Sequence, residues 1–411
     1  MRLSRNVAIV GAGMTRFHHK IHAEKTSREI FLEAAVEAAE SVDNGFELGD
    51  AEALYVGNFS NDTFENQAHT AALMADWIGL CPRPATRIED ACASSGVAIN
   101  IGALAVASGA YDIVIVGGVE KMTNLATERV TDTLAMAADN IYEVSAGYTF
   151  PGLYASLATA HFARYGTTWE QLATISIKNH ENGALNPKAH FQSTVMDTAK
   201  SLGEKRGVKF KDEMEFLRSD LNPVIAYPLR LFDCCPVSDG AAVIIIAEAR
   251  KAKKYTDTPV YIRGLGQASD VTNLHDREDL TSLRATKLAS TQAYKMAGLK
   301  ARDIDVADVH DCFTIAEVLA TEDLGFFPKG KGGKAASDGR TSIGSDIPIN
   351  PDGGLKAKGH PVGATGVAMA YEMFKQLRGS AEKHQVKNAE IGLSQNVGAS
   401  GATVSVQIYG R

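Results

Sequence analysis

The sequence predicts an α/β fold with a duplicated core, on two observations. Short apolar runs ended by glycine alternate with helical patterns, and the same alternation returns in the second half of the 411-residue chain. The first half opens with the strand VAIVGAG (7–13). It continues through the helical stretch SREIFLEAAVEAAESV (27–42), the strand EALYVGN (52–58), the small-residue helix ASSGVAINIGALAVASG (93–109) and the strand YDIVIVGG (111–118). Apolar runs of this kind mark strands buried on both faces, and strands separated by helices imply largely parallel central strands under crossover helices. A further strand, AAVIIIAEA (241–249), precedes the second series. That series holds the strand VYIRGLG (260–266), the helix SLRATKLASTQAYKMAG (282–298), the strand VADVHD (306–311), the helix GATGVAMAYEMFKQLRG (363–379) and the strand EIGLSQNVG (390–398).

The two series keep step. Val7 and Val260 are 253 positions apart, and Leu54 and Val306 are 252 apart. Cys92 precedes the small-residue helix of the first half, and His360 precedes its counterpart in the second. If both halves adopt one fold about a pseudo-twofold axis, these residues sit on equivalent helix-start loops facing a shared cleft. Residues 119–240 fit neither half. They carry polar helical stretches, the aromatic-rich YTFPGLYASLATAHFARYG (148–166) and the charged GEKRGVKFKDEMEF (203–216), and are expected to cover the cleft and bind substrate. The expected domains are therefore 1–118, completed by a strand at 240–255, a covering domain at 119–240, and 256–411.

Composition narrows the function. The 45% hydrophobic content fills two or three cores, and the net charge of -7 is spread along the chain, which argues against nucleic acid as the main partner. The short basic patch KGKGGK (329–334) is expected to be a solvated loop, with contact to a ligand phosphate as the alternative. The N-terminus lacks a signal h-region and no apolar run approaches 18 residues, so the expected setting is cytoplasmic, away from a membrane. The five cysteines, at 81, 92, 234, 235 and 312, are expected to be free thiols. The glycines of GAG (11–13) lack the third glycine of a dinucleotide turn, since Arg16 occupies that position.

Three segments carry chemistry. In IEDACASSGVAIN (88–100), small neighbours leave the Cys92 sulfur approachable at a helix start. A free thiol is only about 3% ionised at neutral pH, and a helix N-terminus with a nearby imidazole is expected to lower its pKa below 7. In GGLKAKGHPVGATG (353–366), glycine and proline shape the loop around His360. In VHDCFTIAEV (309–318), His310 and Cys312 follow a strand and lie two residues apart, on the same side if the strand continues. Metal ligation by the pair would need partners the sequence does not offer.

Together and in this order, ACASSG, HDCF and GHP resemble the thiolase family over essentially the whole chain. The HDCF segment, in place of the commoner NEAF, is similar to the branch of sterol carrier protein 2 thiolases and archaeal-type thiolases. The resemblance implies a duplicated five-layer α-β-α-β-α fold with a covering loop domain. It implies cleavage of a 3-oxoacyl-CoA by CoA, or the reverse Claisen condensation, through acyl-Cys92. His360 would be the base toward Cys92 and Cys312 the acid and base at the substrate α-carbon. His310 and His360 would form one oxyanion hole, and the amides of Cys92 and Val397 a second. Many thiolases carry their second cysteine in a C-x-G segment; SQNVGASGA (394–402) has none, which transfers that role to Cys312. Tyr154, Ala155 and Ser156 would meet the acyl group, and Cys235 would border the pantetheine channel, whereas Cys81 and Cys234 would be structural. Coenzyme A enters as substrate, with no permanent cofactor and no metal. A homodimer or tetramer is implied, with a small zinc-ribbon/OB-fold partner subunit as a further possibility. The competing readings are a hydroxymethylglutaryl-CoA-synthase-like condensing enzyme, the catalytic subunit of a complex for a bulky or aromatic 3-oxoacyl-CoA, and a non-catalytic acyl-CoA or lipid carrier.

Overall fold

The computed structural model describes residues 3–411. The first half runs β1 (Val7–Met14), α1 (Ser27–Glu40), β2 (Leu54–Gly57), α2 (Asn61–Phe64), α3 (Thr70–Trp77), β3 (Ala85–Ile88), α4 (Ser94–Ser108) and β4 (Ile113–Glu120). Between β4 and the next core strand come α5 (Thr127–Ala135), α6 (Phe150–Tyr165), α7 (Trp169–Leu185), α8 (Val195–Arg206), α9 (Glu213–Arg218) and a hairpin of β5 (Val224–Ala226) and β6 (Leu229–Arg230). The chain re-enters the core as β7 (Gly240–Glu248), followed by α10 (Ala249–Ala252). The second half is β8 (Val260–Ser269), α11 (Arg284–Ala297), β9 (Val306–Val309), α12 (Thr314–Asp323), α13 (Gly332–Ser337), α14 (Gly354–Lys358), α15 (Thr365–Leu377), β10 (Ile391–Gly398) and β11 (Thr403–Gly410).

The duplication is visible in the strand order, β3-β2-β4-β7-β1-β8-β11-β10-β9. Read outward from its centre, β1-β7-β4-β2 is matched by β8-β11-β10-β9, with β3 added at the first edge, and the sides meet where Ala8 pairs with Tyr261 and Ile9 with Val260. The helix contacts repeat as well. A Cβ on Gly13 would collide with the Ala34 carbonyl of α1, and one on Gly266 with the Ala289 carbonyl of α11. Both strands thus use glycine to let a helix backbone lie directly against them. The GAG glycines serve this packing.

Helices α4 and α15 pack on each other and on strands of both halves, forming the middle layer between the two half-sheets, with α1 and α3 outside one and α11 and α12 outside the other. This is a five-layer α-β-α-β-α arrangement. Residues 91–108 are long and apolar enough to cross a membrane by length and composition, contrary to the expectation that no such run exists. That stretch is 67% buried, because α4 is apolar all round where sheets cover both its sides.

The strands are less parallel than their alternation with helices predicts. Parallel pairing is confined to β2–β3, β2–β4 and β9–β10, while β7, β8 and β11 pair antiparallel with their neighbours. Two connections account for this. β7 enters at Gly240 opposite Glu120, where β4 ended, so it runs back along β4. β11 returns from β10 through the tight turn at 399–402 and can only be antiparallel. The KGKGGK patch is a solvated loop only in part: Lys331 is exposed, but the last three residues open α13, where Gly332 and Gly333 are buried, and Lys329 pairs with Asp323 at 2.8 Å.

Candidate active site

The first turns of α4 and α15 touch backbone to backbone. A Cβ on Gly366 would meet the amide and Cα of Gly96, and the Val367 amide donates to Ser95 Oγ at 3.1 Å. This crossing brings the residues before each helix together. On the α4 side, Ala91 takes a positive φ of 50° and Ser94 Oγ accepts from the Asp90 amide at 2.9 Å while donating to the Ala91 carbonyl at 2.6 Å. The turn so closed presents Cys92, half-buried, above the helix start. On the α15 side, Gly359 at φ 109° admits a bend that aims His360 into the same space.

One ligand atom each of Cys92, His310 and His360 falls within 4.8 Å of the others. The imidazoles of His310 and His360 meet edge to face, centroids 5.0 Å apart. Cys312 lies with Cys92 and His360 on the wall of one apolar cavity, whose other lining includes Phe59, Met122, Leu134, Phe150 and Val362. β9 ends at Val309, yet the alternation of the next residues persists: His310 and Cys312 reach the cavity region while Asp311 turns away. Its carboxylate accepts from Asn179 Nδ2 at 2.7 Å and from the Leu355 amide at 2.6 Å at the start of α14. Because α14 leads into Gly359 and His360, this carboxylate ties the HDCF segment to the GHP loop.

Hydrogen bonds set the two imidazoles in opposite tautomers. Thr365 Oγ1 donates to the Pro361 carbonyl at 2.9 Å, so its oxygen receives the proton of His360 Nδ1 at 2.7 Å. Nε2 of His360 is left as a bare acceptor, buried without a protein partner. Asn396 Nδ2 donates both to the Cys92 carbonyl at 2.9 Å and to His310 Nδ1 at 3.2 Å. The His310 proton therefore sits on Nε2, likewise buried without a protein partner. The site thus holds one imidazole that can take a proton and one that can donate a hydrogen bond.

The resting charges differ from the expectation for Cys92. Burial pushes its thiol up to about 12, and burial with the nearby Lys358 charge pushes His360 down to about 3. Burial also lowers His310, with the His360 charge adding to the effect. Desolvation in an apolar cavity outweighs the helix-start amides, so the resting pair is neutral thiol and neutral imidazole. The amides of Ala399 and of Cys92 itself pull the Cys92 thiol down, and burial outweighs them. Val397, expected as the second amide donor, stands opposite Val404 in the β10–β11 ladder with its side chain buried, and is not part of the cavity wall. Ala399, two residues on at the turn with φ 55°, lines the cavity in its place.

The covering-region residues shift too. Tyr154, Ala155 and Ser156 do not line the cavity; Tyr154 is fully buried behind it and Ser156 Oγ bonds back to the Gly152 carbonyl at 3.1 Å. Phe150 and Pro151, one turn earlier in α6, form that part of the wall. Cys235 lines the cavity, its amide donating to the Cys312 carbonyl at 2.9 Å, and Cys234, expected to be structural, lines it as well. Asn396 and Thr365 were not among the candidate residues. Neither belongs to a catalytic residue type, and only the neighbouring histidines give them meaning.

Families matched along the chain agree with this geometry: thiolase, N-terminal domain, over residues 7–250, and thiolase C-terminal domain-like over residues 266–411. The chain belongs to the thiolase family. As a thiolase it is an acyltransferase. It is 47% identical over 407 residues to an acetyl-CoA acetyltransferase of Methanothermobacter thermautotrophicus, covering 99% of this chain and 100% of that one. It is 32% identical to human sterol carrier protein 2, covering 98% of this thiolase and 72% of that protein. It is 31% identical to the benzoylsuccinyl-CoA thiolase subunit BbsB of Thauera aromatica, covering 94% and 93%. Among solved structures, an Ltp2-ChsH2(DUF35) aldolase shares the fold at TM-score 0.80 and 23% identity, covering 99% of this chain and 98% of that chain. Cys92, His310 and His360 are also close enough to hold a metal ion, as are His18, His19 and His190 elsewhere.

Proposed function

We propose that this thiolase cleaves an apolar 3-oxoacyl-CoA with CoA, and runs the reverse condensation of acetyl-CoA, through an acyl group carried on Cys92. The observation that carries the reading is the meeting of Cys92, His310 and His360 within 4.8 Å beside a cavity that Cys312 also lines.

In cleavage, the Cys92 proton passes to His360 Nε2 as the sulfur attacks the C3 carbonyl. The developing oxyanion takes hydrogen bonds from the cavity donors, His310 Nε2–H among them; losing one such donor typically costs about 100- to 1,000-fold. The C2–C3 bond then breaks, its electron pair takes the proton of the Cys312 thiol, and acetyl-CoA leaves. An incoming CoA thiol gives its proton to the Cys312 thiolate and attacks the acyl thioester, and the Cys92 sulfur recovers its proton from His360. Every proton returns to its starting atom, so no further co-reactant is required.

The wall favours an apolar acyl chain, since His360 is its one nitrogen base. The name of the Methanothermobacter relative supports acetyl transfer as the basic reaction. The BbsB and DUF35 names support a place in a larger complex with a small partner subunit as the second reading. The half-exposed edge strand β3 suits pairing with a second copy in a homodimer. The free cysteines suit a reducing, cytoplasmic setting.

Incubation with acetoacetyl-CoA and CoA, followed by mass spectrometry, tests the reading. An acyl adduct is expected on Cys92 and none in Cys92→Ala, while Cys312→Ala loses both the adduct and acetyl-CoA release with this substrate yet still takes an acetyl group from acetyl-CoA onto Cys92. An adduct on another residue, or none in the wild type, overturns it.

A further inference from the structure

Three imidazoles meet outside the catalytic cavity, where the loop after β1 faces the covering region. His18 and His19 belong to that loop, and His190 lies between α7 and α8. One ligand nitrogen of each falls within 4.8 Å of the others. Their ring planes are within 19° of parallel, and the three centroids are 4.6, 4.8 and 4.9 Å apart. A column of three rings would set its outer members twice as far apart as its neighbours, so these rings stand round a common point instead. His19 Nδ1 and His190 Nε2 are 3.0 Å apart. Ser238 Oγ donates to the Pro236 carbonyl at 3.3 Å, so it receives the proton of His190 Nδ1 at 2.9 Å and leaves Nε2 as a lone pair facing His19. The backbone holds the rings from both sides. The His18 amide donates to the Asp239 carbonyl at 3.2 Å and the Asp239 amide to the His18 carbonyl at 3.1 Å, while the His190 amide donates to the Lys358 carbonyl at 2.9 Å.

We propose that His18, His19 and His190 form a zinc site, three imidazole nitrogens and one water, that fastens the loop after β1 to the covering region. Zinc–nitrogen bonds of about 2.0–2.1 Å in a tetrahedral site set the nitrogens roughly 3.3 Å apart. The spacing of His19 and His190 is already close to this. The proton on His19 Nδ1 gives way to the metal and moves to Nε2 of the same ring, which stays neutral. His18 Nδ1 accepts from the Lys20 amide at 2.9 Å, an exposed bond that water replaces when the ring turns to the ion. Asp239, the acidic residue paired with His18, spends its carboxylate on Lys121 at 2.6 Å and the Met122 amide at 2.7 Å. A set of nitrogens without a carboxylate suits zinc and not magnesium or calcium, which favour oxygen. His190 is buried, His18 half-buried and His19 exposed, which leaves the ion an entry path and the fourth position to water. The Ser238 bond supplies the outer support that orients a metal-bound imidazole.

The experiment titrates chelator-stripped protein with Co2+ and then with Zn2+. It is run on the wild type and on Cys92→Ala, in which the catalytic cluster has no sulfur to offer a metal. Both proteins are expected to bind one Co2+ per chain, with the visible d–d absorption of a low-coordinate nitrogen site, and to exchange it for one Zn2+. Ser238→Ala should weaken binding roughly 10- to 100-fold, as loss of an outer support does, and His19→Ala and His190→Ala should weaken it further. Zn2+ should raise the thermal midpoint of the wild type and leave that of His19→Ala unmoved, since only a ligand of the folded state stabilises it. His190 is buried, so if His190→Ala misfolds, the exposed His19→Ala decides. Binding lost in Cys92→Ala would put the ion on the catalytic residues and overturn the proposal. Binding unchanged in His19→Ala, or no saturable binding in the wild type, overturns it as well.

Discussion

The four side chains with expected chemical roles are legible in the sequence because their types are rare and their surroundings unusual: a cysteine among small residues, a histidine between glycine and proline, and a histidine–cysteine pair after a strand. What tunes them is not legible. Thr365 and Asn396 are ordinary polar residues until the fold sets them against Nδ1 of each imidazole. Removing the Thr365 hydroxyl in Thr365→Val should leave the His360 Nδ1 proton unpaired and the ring free to turn. We expect kcat to drop at least tenfold, part of the roughly 100- to 10,000-fold that a placed base supplies, and steady-state kinetics on acetoacetyl-CoA would read it. The lowered pKa of His360 also has a signature in stability. The unfolded chain protonates this histidine near 6.5, while the folded protein resists until about 3. Between those limits unfolding takes up a proton, so the histidine's contribution is complete above pH 6.5 and is lost as pH falls. Measured against His360→Asn, wild-type stability should decline by about 1.4 kcal/mol per pH unit below 6.5. A gap independent of pH in chemical denaturation at pH 7, 6 and 5 would contradict the assignment.

At the scale of elements, the apolar runs located most core strands, and periodicity located α1, α4, α11 and α15 to within a few residues. Two strands of the core sheet escaped. β3 is short and half-exposed, with Thr86 and Arg87 in it. β11 is almost wholly buried yet carries Ser405 and Gln407, because Gln407 spends its amide on the Gly96 carbonyl at 3.0 Å and on Asn100 at 2.9 Å in α4. A strand that carries a glutamine satisfied by a neighbouring helix does not read as apolar. Strand direction was equally hidden, since it depends on where a connection re-enters the sheet. The element contact with most at stake is the crossing of α4 and α15. Gly366→Ala would drive a methyl group into the Gly96 backbone, and the helices must part to accept it. We expect a loss of about 1–3 kcal/mol in stability together with slower acylation of Cys92, because the same shift separates the sulfur from His360. Full stability with full activity would show that the crossing tolerates the extra volume.

For the whole molecule, the repeat at 252–253 residues foretold two matching halves, and four strands on each side of the β1–β8 junction follow the same order, with β3 the one addition. The cleft contents were harder to anticipate. The covering region docks through buried polar contacts, such as Lys178 to Glu317 at 2.7 Å and Asn179 to Asp311, which carry no hydrophobic period. Since the middle layer draws one helix from each half, neither half keeps its core alone. Calorimetry should therefore give a single cooperative transition, and a fragment ending near residue 255 should not fold on its own. Two separated transitions would mean that the halves are independent.

The near-twofold axis through the α4–α15 crossing has one more implication. A perfectly repeated ancestor would have carried the same side chain at both helix starts, two sulfurs or two imidazoles, and neither pairing sets a thiol nucleophile beside an imidazole base. Sulfur at one site and imidazole at its twin mean that the copies had to become unequal before this chemistry was possible, so the asymmetry, rather than the repetition, is what made the catalyst.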